Sequence, residues 1–173
     1  MNNFEKLTFE TSLFYKDLSI TSELESFCKA QTLDVIPNEH STSFFKEQQQ
    51  ELRNLLMPNV KDFFIEVGKS LGYSGMTLNH TWIQHYNIGE NHRIHIHSVY
   101  PNDYSFVYYI ECNDTSANTV FYNFGYPYID HGVHKVAPKK GRCVLFPGAM
   151  PHEAQSNKED TRLVVSGNLS FTR

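Results

Sequence analysis

The sequence predicts an α+β fold, with two or three helices in the first half and six or seven short strands after them, rolled into a sandwich or barrel. Three observations carry this prediction. Helical apolar spacing ends near residue 76; β-type runs separated by turn residues begin at residue 77; and the chain is 14% aromatic, with 13 Phe and 10 Tyr, side chains that pack well on a pleated surface. At 173 residues and 20.1 kDa the chain suits one domain with one core, residues 1–76 forming a helical support region and residues 77–173 the β core.

The first helix is predicted over TSELESFCKAQ, residues 21–31, where Ser22 and Glu25 stand at the spacing of a capping box. SFFKEQQQELRNLLM, residues 43–57, brings Phe44, Phe45, Leu52, Leu55 and Leu56 close to one stripe. PNVKDFFIEVGKSLGY, residues 58–73, opens on Pro58, a residue favoured in a first helical turn, and predicts a separate helix with Val60, Phe63, Phe64, Val67 and Leu71 on its apolar face. The strands are predicted over TLNHTWIQHYN, RIHIHSV, DYSFVYYIEC, NTVFYN, GVHKVAP, RCVLFPG and RLVVSGNLSF. Gly89, Asn102, Asn113, Gly125, Gly141 and Gly148 punctuate them.

A net charge of -4 and a pI near 6.1 supply no electrostatic drive toward nucleic acid. Cys28, Cys112 and Cys143 are scattered, without C-x-x-C spacing, and read as reduced, mostly buried thiols of a cytoplasmic protein. Charges interrupt the first twenty residues, so no secretory apolar region is expected. No run approaches the roughly 20 apolar residues of a membrane span, so a soluble protein with no membrane association is expected.

The chemistry concentrates in HRIHIHSVYPNDYSFVYYIE, which places His92, His95 and His97 within six positions. On a strand, side chains two apart share a face, so His95 and His97 form a two-imidazole metal platform while Ile94 and Ile96 pack on the other side. GRCVLFPGAMPHEAQ is an apolar strand that turns at Pro147 and Gly148 and delivers His152, a third imidazole for a three-point site. In RLVVSGN the same alternation puts Arg162, Val164 and Ser166 on one face, and a guanidinium fork matches the far carboxylate of a dicarboxylate. The remaining histidines read more quietly: His92 as pocket rim or surface, His80 and His85 as structural, and His40, His131 and His134 as solvated. Trp82 reads as core. Tyr108 and Tyr109 must face opposite ways.

Together, HYNIGENHRIHIH, SFVYYIE, NTVFYNFG, GRCVLFPGAMPHEAQ and TRLVVSGN resemble the double-stranded β-helix, a cupin-like jelly roll, of the Fe(II)/2-oxoglutarate oxygenases. The likeness is to the prolyl-hydroxylase-like branch and to small phage and marine-bacterial oxygenases, and it spans about residues 78–173. The helices before it resemble those that branch packs on its major sheet. The resemblance implies His95 and His152 as metal ligands, Arg162 gripping the distal carboxylate of 2-oxoglutarate with Ser166 further along the same face, Tyr109 sharing that carboxylate, and Tyr86 lining the pocket. Where the family usually has the carboxylate of an H-x-D motif, this chain has His97. The implied triad of His95, His97 and His152 carries one negative charge fewer, and three imidazoles also suit zinc or, by affinity order, nickel or copper. Asp103 turning in as the carboxylate is the alternative ligand.

The implied activity is hydroxylation with Fe(II), 2-oxoglutarate and O₂, on a small-molecule or peptide substrate; a homodimer is left open. Cupins supply a second likeness, through Gly89, His95, His97, Gly141, Pro147 and His152. It departs at Pro101 and Asn102, where the cupin motif has a glutamate, and at Ala149, where it has a glycine. A non-catalytic β-helix that binds ligands is the third reading. SVYPND and NFGYPYIDHG are the loops that would read the substrate, with Tyr126, Pro127, Tyr128 and His131 as lid residues.

Overall fold

Alternating apolar side chains in the second half of the chain build two antiparallel sheets that face each other across a cavity. The computed structural model describes residues 11–46, 50–113, 115–124, 126 and 132–173. In chain order the elements are β1 (Phe14–Asp17), α1 (Ser22–Ala30), β2 (Asp34–Val35), β3 (Ser41–Thr42), α2 (Gln50–Ser70), β4 (Gly75–Tyr86), β5 (His92–His95), β6 (Asp103–Glu111), β7 (Thr119–Tyr122), β8 (Val133–Val136), β9 (Arg142–Pro147), β10 (His152–Ala154) and β11 (Arg162–Thr172). The major sheet has the order β1-β9-β6-β11-β4-β3-β2 and the minor sheet β5-β10-β7-β8. From β4 onward each successive strand crosses to the other sheet, except at the β7–β8 hairpin. That winding is the predicted jelly roll.

β11 runs through the middle of the major sheet, paired along β4 from Arg162 opposite Tyr86 to Thr172 opposite Gly75, and along β6 on its other side. Its period-two alternation splits the interior. Leu163 and Val165 join Leu56, Val60, Phe64, Phe106 and Tyr108 in a core between the sheet and the helices, whereas Val164 joins Tyr86, Tyr109, Phe121, Val144 and Phe146 between the sheets.

The helices differ from the sequence reading in three places. Residues 43–46 are not helical: Ser43 exchanges backbone and side-chain hydrogen bonds with Ile83 (3.0 and 2.9 Å), the Thr42 hydroxyl accepts from the Phe44 N–H (3.1 Å), and the Lys46 N–H donates to the Ser43 carbonyl (3.1 Å), which closes a turn beside β4. Residues 47–49 of that predicted helix lie outside the described residues. Pro58 does not start a new helix but sits inside α2, because the buried stripe of Leu52, Leu56, Val60, Phe63, Phe64 and Val67 is continuous across it. At the turn that Pro58 disturbs, the Asn59 carboxamide donates to the Leu55 carbonyl (2.8 Å) and accepts from the Thr21 N–H (3.0 Å). Thr21, not Ser22, caps α1, accepting from the Leu24 N–H.

The minor sheet also corrects the reading of RIHIHSV. β5 ends at His95, so His97 lies beyond the strand, and Ile94 and Ile96 are exposed because no described layer covers that face. The short β10 was not predicted. Cys28 and Cys143 are buried, and burial pushes the Cys28 thiol up to about 12. Among the described residues, no helix is long and apolar enough to cross a membrane.

Two outcomes test this architecture. A Cβ at Gly167 on β11 would stand 2.6 Å from the His80 carbonyl oxygen and 2.5 Å from the Phe106 ring. Gly167→Ala should therefore destabilise by about 1–3 kcal/mol in chemical denaturation. At the edge, Arg142 (2.9 Å) and then Lys139 (2.6 Å) hydrogen-bond Asp17 and hold its carboxyl below the ordinary range. A depressed folded value contributes stability above the unfolded value and loses it as the pH falls. Asp17→Asn should thus cost about 0.5 kcal/mol at neutral pH and nothing below the ordinary carboxylate range, read from denaturation midpoints across pH.

Candidate active site

Register alone brings two of the predicted histidines together. β10 lies between β5 and β7, with His152 directly opposite His95 on one side and Phe121 on the other. The turn after β9 supplies the third. The Gly148 carbonyl accepts from the His97 and Ser98 N–H groups (2.9 and 3.2 Å), and the Gly148 N–H donates to the Asp103 carbonyl (2.8 Å). That close approach makes Gly148 a tight position, since a Cβ would meet Ser98 Cβ at 3.1 Å and the Asp103 carbonyl oxygen at 3.3 Å.

The rings of His95 and His152 are 4.3 Å apart, and that of His97 is 5.0 Å from each. One ring nitrogen from each lies within 4.8 Å of the others. Nδ1 of His95 donates to the Arg93 carbonyl (2.7 Å) and Nδ1 of His152 to the Met150 carbonyl (2.9 Å), so in both rings Nε2 carries the free lone pair. His97 Nε2 stands 3.2 Å from His152 Nε2. Two nitrogens bound to one cation at about 2.0–2.1 Å stand about 3.0–3.4 Å apart, so this spacing suits neighbouring ligands of one ion. Burial is the main cause of lowered proton affinity in all three rings, with neighbouring imidazoles adding to it for His97, which falls to about 4, and for His152. All three are neutral bases at neutral pH.

The same cavity is lined by Arg162, Val164 and Ser166, as the alternation of β11 requires. Arg162 is only 1% exposed. Its guanidinium lies over the Tyr86 ring, 4.5 Å from the centroid, and Nη1 donates to the Ala117 carbonyl. Its Nε and Nη2 have no partner, and no carboxylate among the described residues pairs with it. A buried cation with two unsatisfied donors is costly unless an anion meets it. The Ser166 hydroxyl donates to Gln84 Oε1 (2.8 Å). Tyr109 is fully buried, its hydroxyl paired with that of Thr119 at 2.6 Å, and Thr119 lines the cavity. Burial raises both the Tyr86 and Tyr109 phenols, which stay neutral. Asp103 does not join the histidines: its carboxylate accepts from Ser98 (2.5 Å) and Ser170 (2.6 Å).

Several residues were misplaced by sequence reasoning. His40, read as solvated, is 1% exposed and stacks on Tyr86 at 5.0 Å. His92, read as pocket rim or surface, is half-buried and lines the cavity as the rim reading expects, and it stacks on His95 at 3.9 Å. Trp82 is buried, but in the cavity wall beside His97, and Gln84 follows it there. The signal for both was available: residues 82, 84 and 86 alternate on one face of β4, the face already assigned to Tyr86. His80 packs against both Phe44 and Trp82, and His134 is exposed on β8. Of the lid residues, Tyr126 packs on Tyr122 at 4.5 Å, while Pro127, Tyr128 and His131 lie outside the described residues.

No family model matches this chain, and no curated protein matches it. Solved structures do. A prolyl-4-hydroxylase from Pseudomonas putida is 18% identical, with 94% of each chain covered and a TM-score of 0.64. An oxidoreductase of the 2OG-Fe(II) oxygenase family from Burkholderia pseudomallei is 13% identical over 86% of this chain and 76% of that one, with a TM-score of 0.68. A viral collagen prolyl hydroxylase from Paramecium bursaria Chlorella virus-1 is 13% identical over 93% and 96%, with a TM-score of 0.61.

The fold is that of the Fe(II)/2-oxoglutarate oxygenases. Within this oxygenase fold the histidine cluster and the buried arginine occupy one cavity between the two sheets, the histidines at the β5–β10 pair and Arg162 at the start of β11.

The unpaired charge makes a direct prediction. Arg162→Met removes a buried cation while keeping an apolar stem, so without added anion the variant should melt a few degrees higher than the parent. Added dicarboxylate should raise the parent's melting temperature and leave that of the variant unchanged.

Proposed function

We propose that this chain is a 2-oxoglutarate-dependent oxygenase that hydroxylates a small-molecule or peptide substrate with O₂, holding Fe(II) at His95, His97 and His152. The observation that carries the reading is the buried Arg162, with Nε and Nη2 unpartnered, lining the same cavity as three converging imidazoles. Those two free N–H donors fit one carboxylate of a dicarboxylate. The neutral Nε2 lone pairs fit a divalent metal. When bound, the metal and the keto acid supply the oxidising chemistry with O₂, which no protein side chain provides.

The chain's own residues do the rest. Arg162 would hold the far carboxylate, with Tyr86 beneath the guanidinium and Ser166 and Thr119 on the adjoining wall. The Arg93 and Met150 carbonyls set the imidazole tautomers so that lone pairs face the ion. Val164, Phe121 and Phe146 keep water from the back of the site. A groove lined by Ile36, Phe44, Phe45, Trp82 and Ile96 opens beside His95 and His97, and its walls favour a substrate with an apolar or aromatic group next to the reacting carbon. The absence of a carboxylate from the triad favours one second reading, a cupin-like protein that holds zinc or nickel without 2-oxoglutarate.

Anaerobic titration of 2-oxoglutarate into the Fe(II) form, followed by visible charge-transfer absorption and calorimetry, separates the two. The proposal expects saturable binding that Arg162→Ala weakens about 30- to 150-fold, the loss of roughly 2–3 kcal/mol of charge-assisted hydrogen bonding. His152→Ala should lose the iron. An iron-loaded protein that gives neither the band nor calorimetric binding would overturn the 2-oxoglutarate reading.

A further inference from the structure

A second group of donors lies beside the triad and takes no part in the chemistry proposed above. β2 and β3 form a hairpin whose turn passes through Asn38 at a φ of 64°, with Ile36 N–H donating to the His40 carbonyl (2.8 Å) and Glu39 N–H to the Ile36 carbonyl (3.1 Å). The Asn91 N–H donates to the Glu39 carbonyl (2.9 Å) and ties the hairpin tip to the start of β5. Glu39, His40 and His92 are thereby gathered so that one donor atom of each lies within 4.8 Å of the others.

His40 carries the argument further. The ring is 1% exposed and its Nδ1 has no hydrogen-bond partner. The Glu39 carboxylate faces that nitrogen at 3.9 Å, too far for a hydrogen bond but within the spread of about 3–4 Å between two donors of one cation. On the inner side, Gln84 Nε2 donates to His40 Nε2 (3.0 Å) and His92 Nδ1 (3.3 Å). A half-turn of this carboxamide would present its oxygen to both rings, which then donate inward and turn lone pairs outward, while its nitrogen would donate to the Ser166 hydroxyl oxygen in place of the bond that Oε1 now accepts from that hydroxyl. That is how a polar group behind a metal site fixes its imidazoles.

We propose that Glu39, His40 and His92 form a second site for a zinc-class divalent ion, with open positions for water or a substrate oxygen. Its donors are distinct from the triad, and the two sites share a wall where His92 stacks on His95. The site goes beyond the oxygenase reading and stands or falls apart from it.

Co(II) serves as the probe, titrated anaerobically into the full chain and followed by visible absorption and by metal content after desalting. Two equivalents per chain are expected for the parent. Glu39→Gln and His40→Asn should each bind one and keep the spectrum of the triad ion, while His152→Ala should keep the other. Glu39→Gln leaves the buried imidazole packing in place, and circular dichroism on each variant controls for folding. A parent that saturates at one equivalent, or folded Glu39 and His40 variants that both retain two, would overturn the second site.

Discussion

Much of this molecule depends on the placement of β11 between β4 and β6. A strand flanked on both sides must commit each side chain to one face of the sheet or the other, and β11 does so with opposite chemistry: Leu163 and Val165 toward α1 and α2, Arg162, Val164 and Ser166 toward the cavity. A slip of one residue would bury a guanidinium against Phe64 and Tyr108 and open an apolar wall to the histidines. The helices matter to function through this constraint. By covering one face with Leu52, Leu56, Val60 and Phe64, they fix which face remains for chemistry.

The cavity between the sheets and the groove beside it hold groups that burial penalises: five imidazoles lowered in proton affinity mainly by desolvation, and a guanidinium with two idle donors. A fold does not keep such groups indoors for its own stability. They persist because neighbouring residues hold them, through carbonyls that fix imidazole tautomers, through Tyr86 stacked between Arg162 and His40, and through Gln84 spanning two rings and Ser166. Scaffolding of this kind turns lone pairs and N–H donors toward the cavity, the arrangement that the proposed metal and dicarboxylate would require.

Much of the site was legible because strands have a period of two. His95, His152, Arg162, Val164 and Ser166 could be placed from alternation and from the Pro147–Gly148 turn. His40 could not. It sits in a hairpin tip in polar sequence, and only the pairing of β3 with β4 swings that tip over the cavity. Ile94 and Ile96 misled for a related reason: alternation says that they face away from the histidines, but not whether another layer waits there. Pro58 was read by its local preference for a helix start, which a continuous apolar stripe overrode.

The sequence by itself determined that the helices lie in the first half and the long strands after them, the two faces of β11, the opposite facing of Tyr108 and Tyr109 on β6, and the identities of the three candidate histidines and the arginine, since each follows from local periodicity and side-chain chemistry. Only the tertiary structure decided that His152 stands opposite His95, that His97 joins them from beyond the strand, that Arg162 meets no counter-ion among the described residues, and that Glu39, His40 and His92 meet. Those facts depend on strand register and on which surfaces cover one another, and long-range packing sets both.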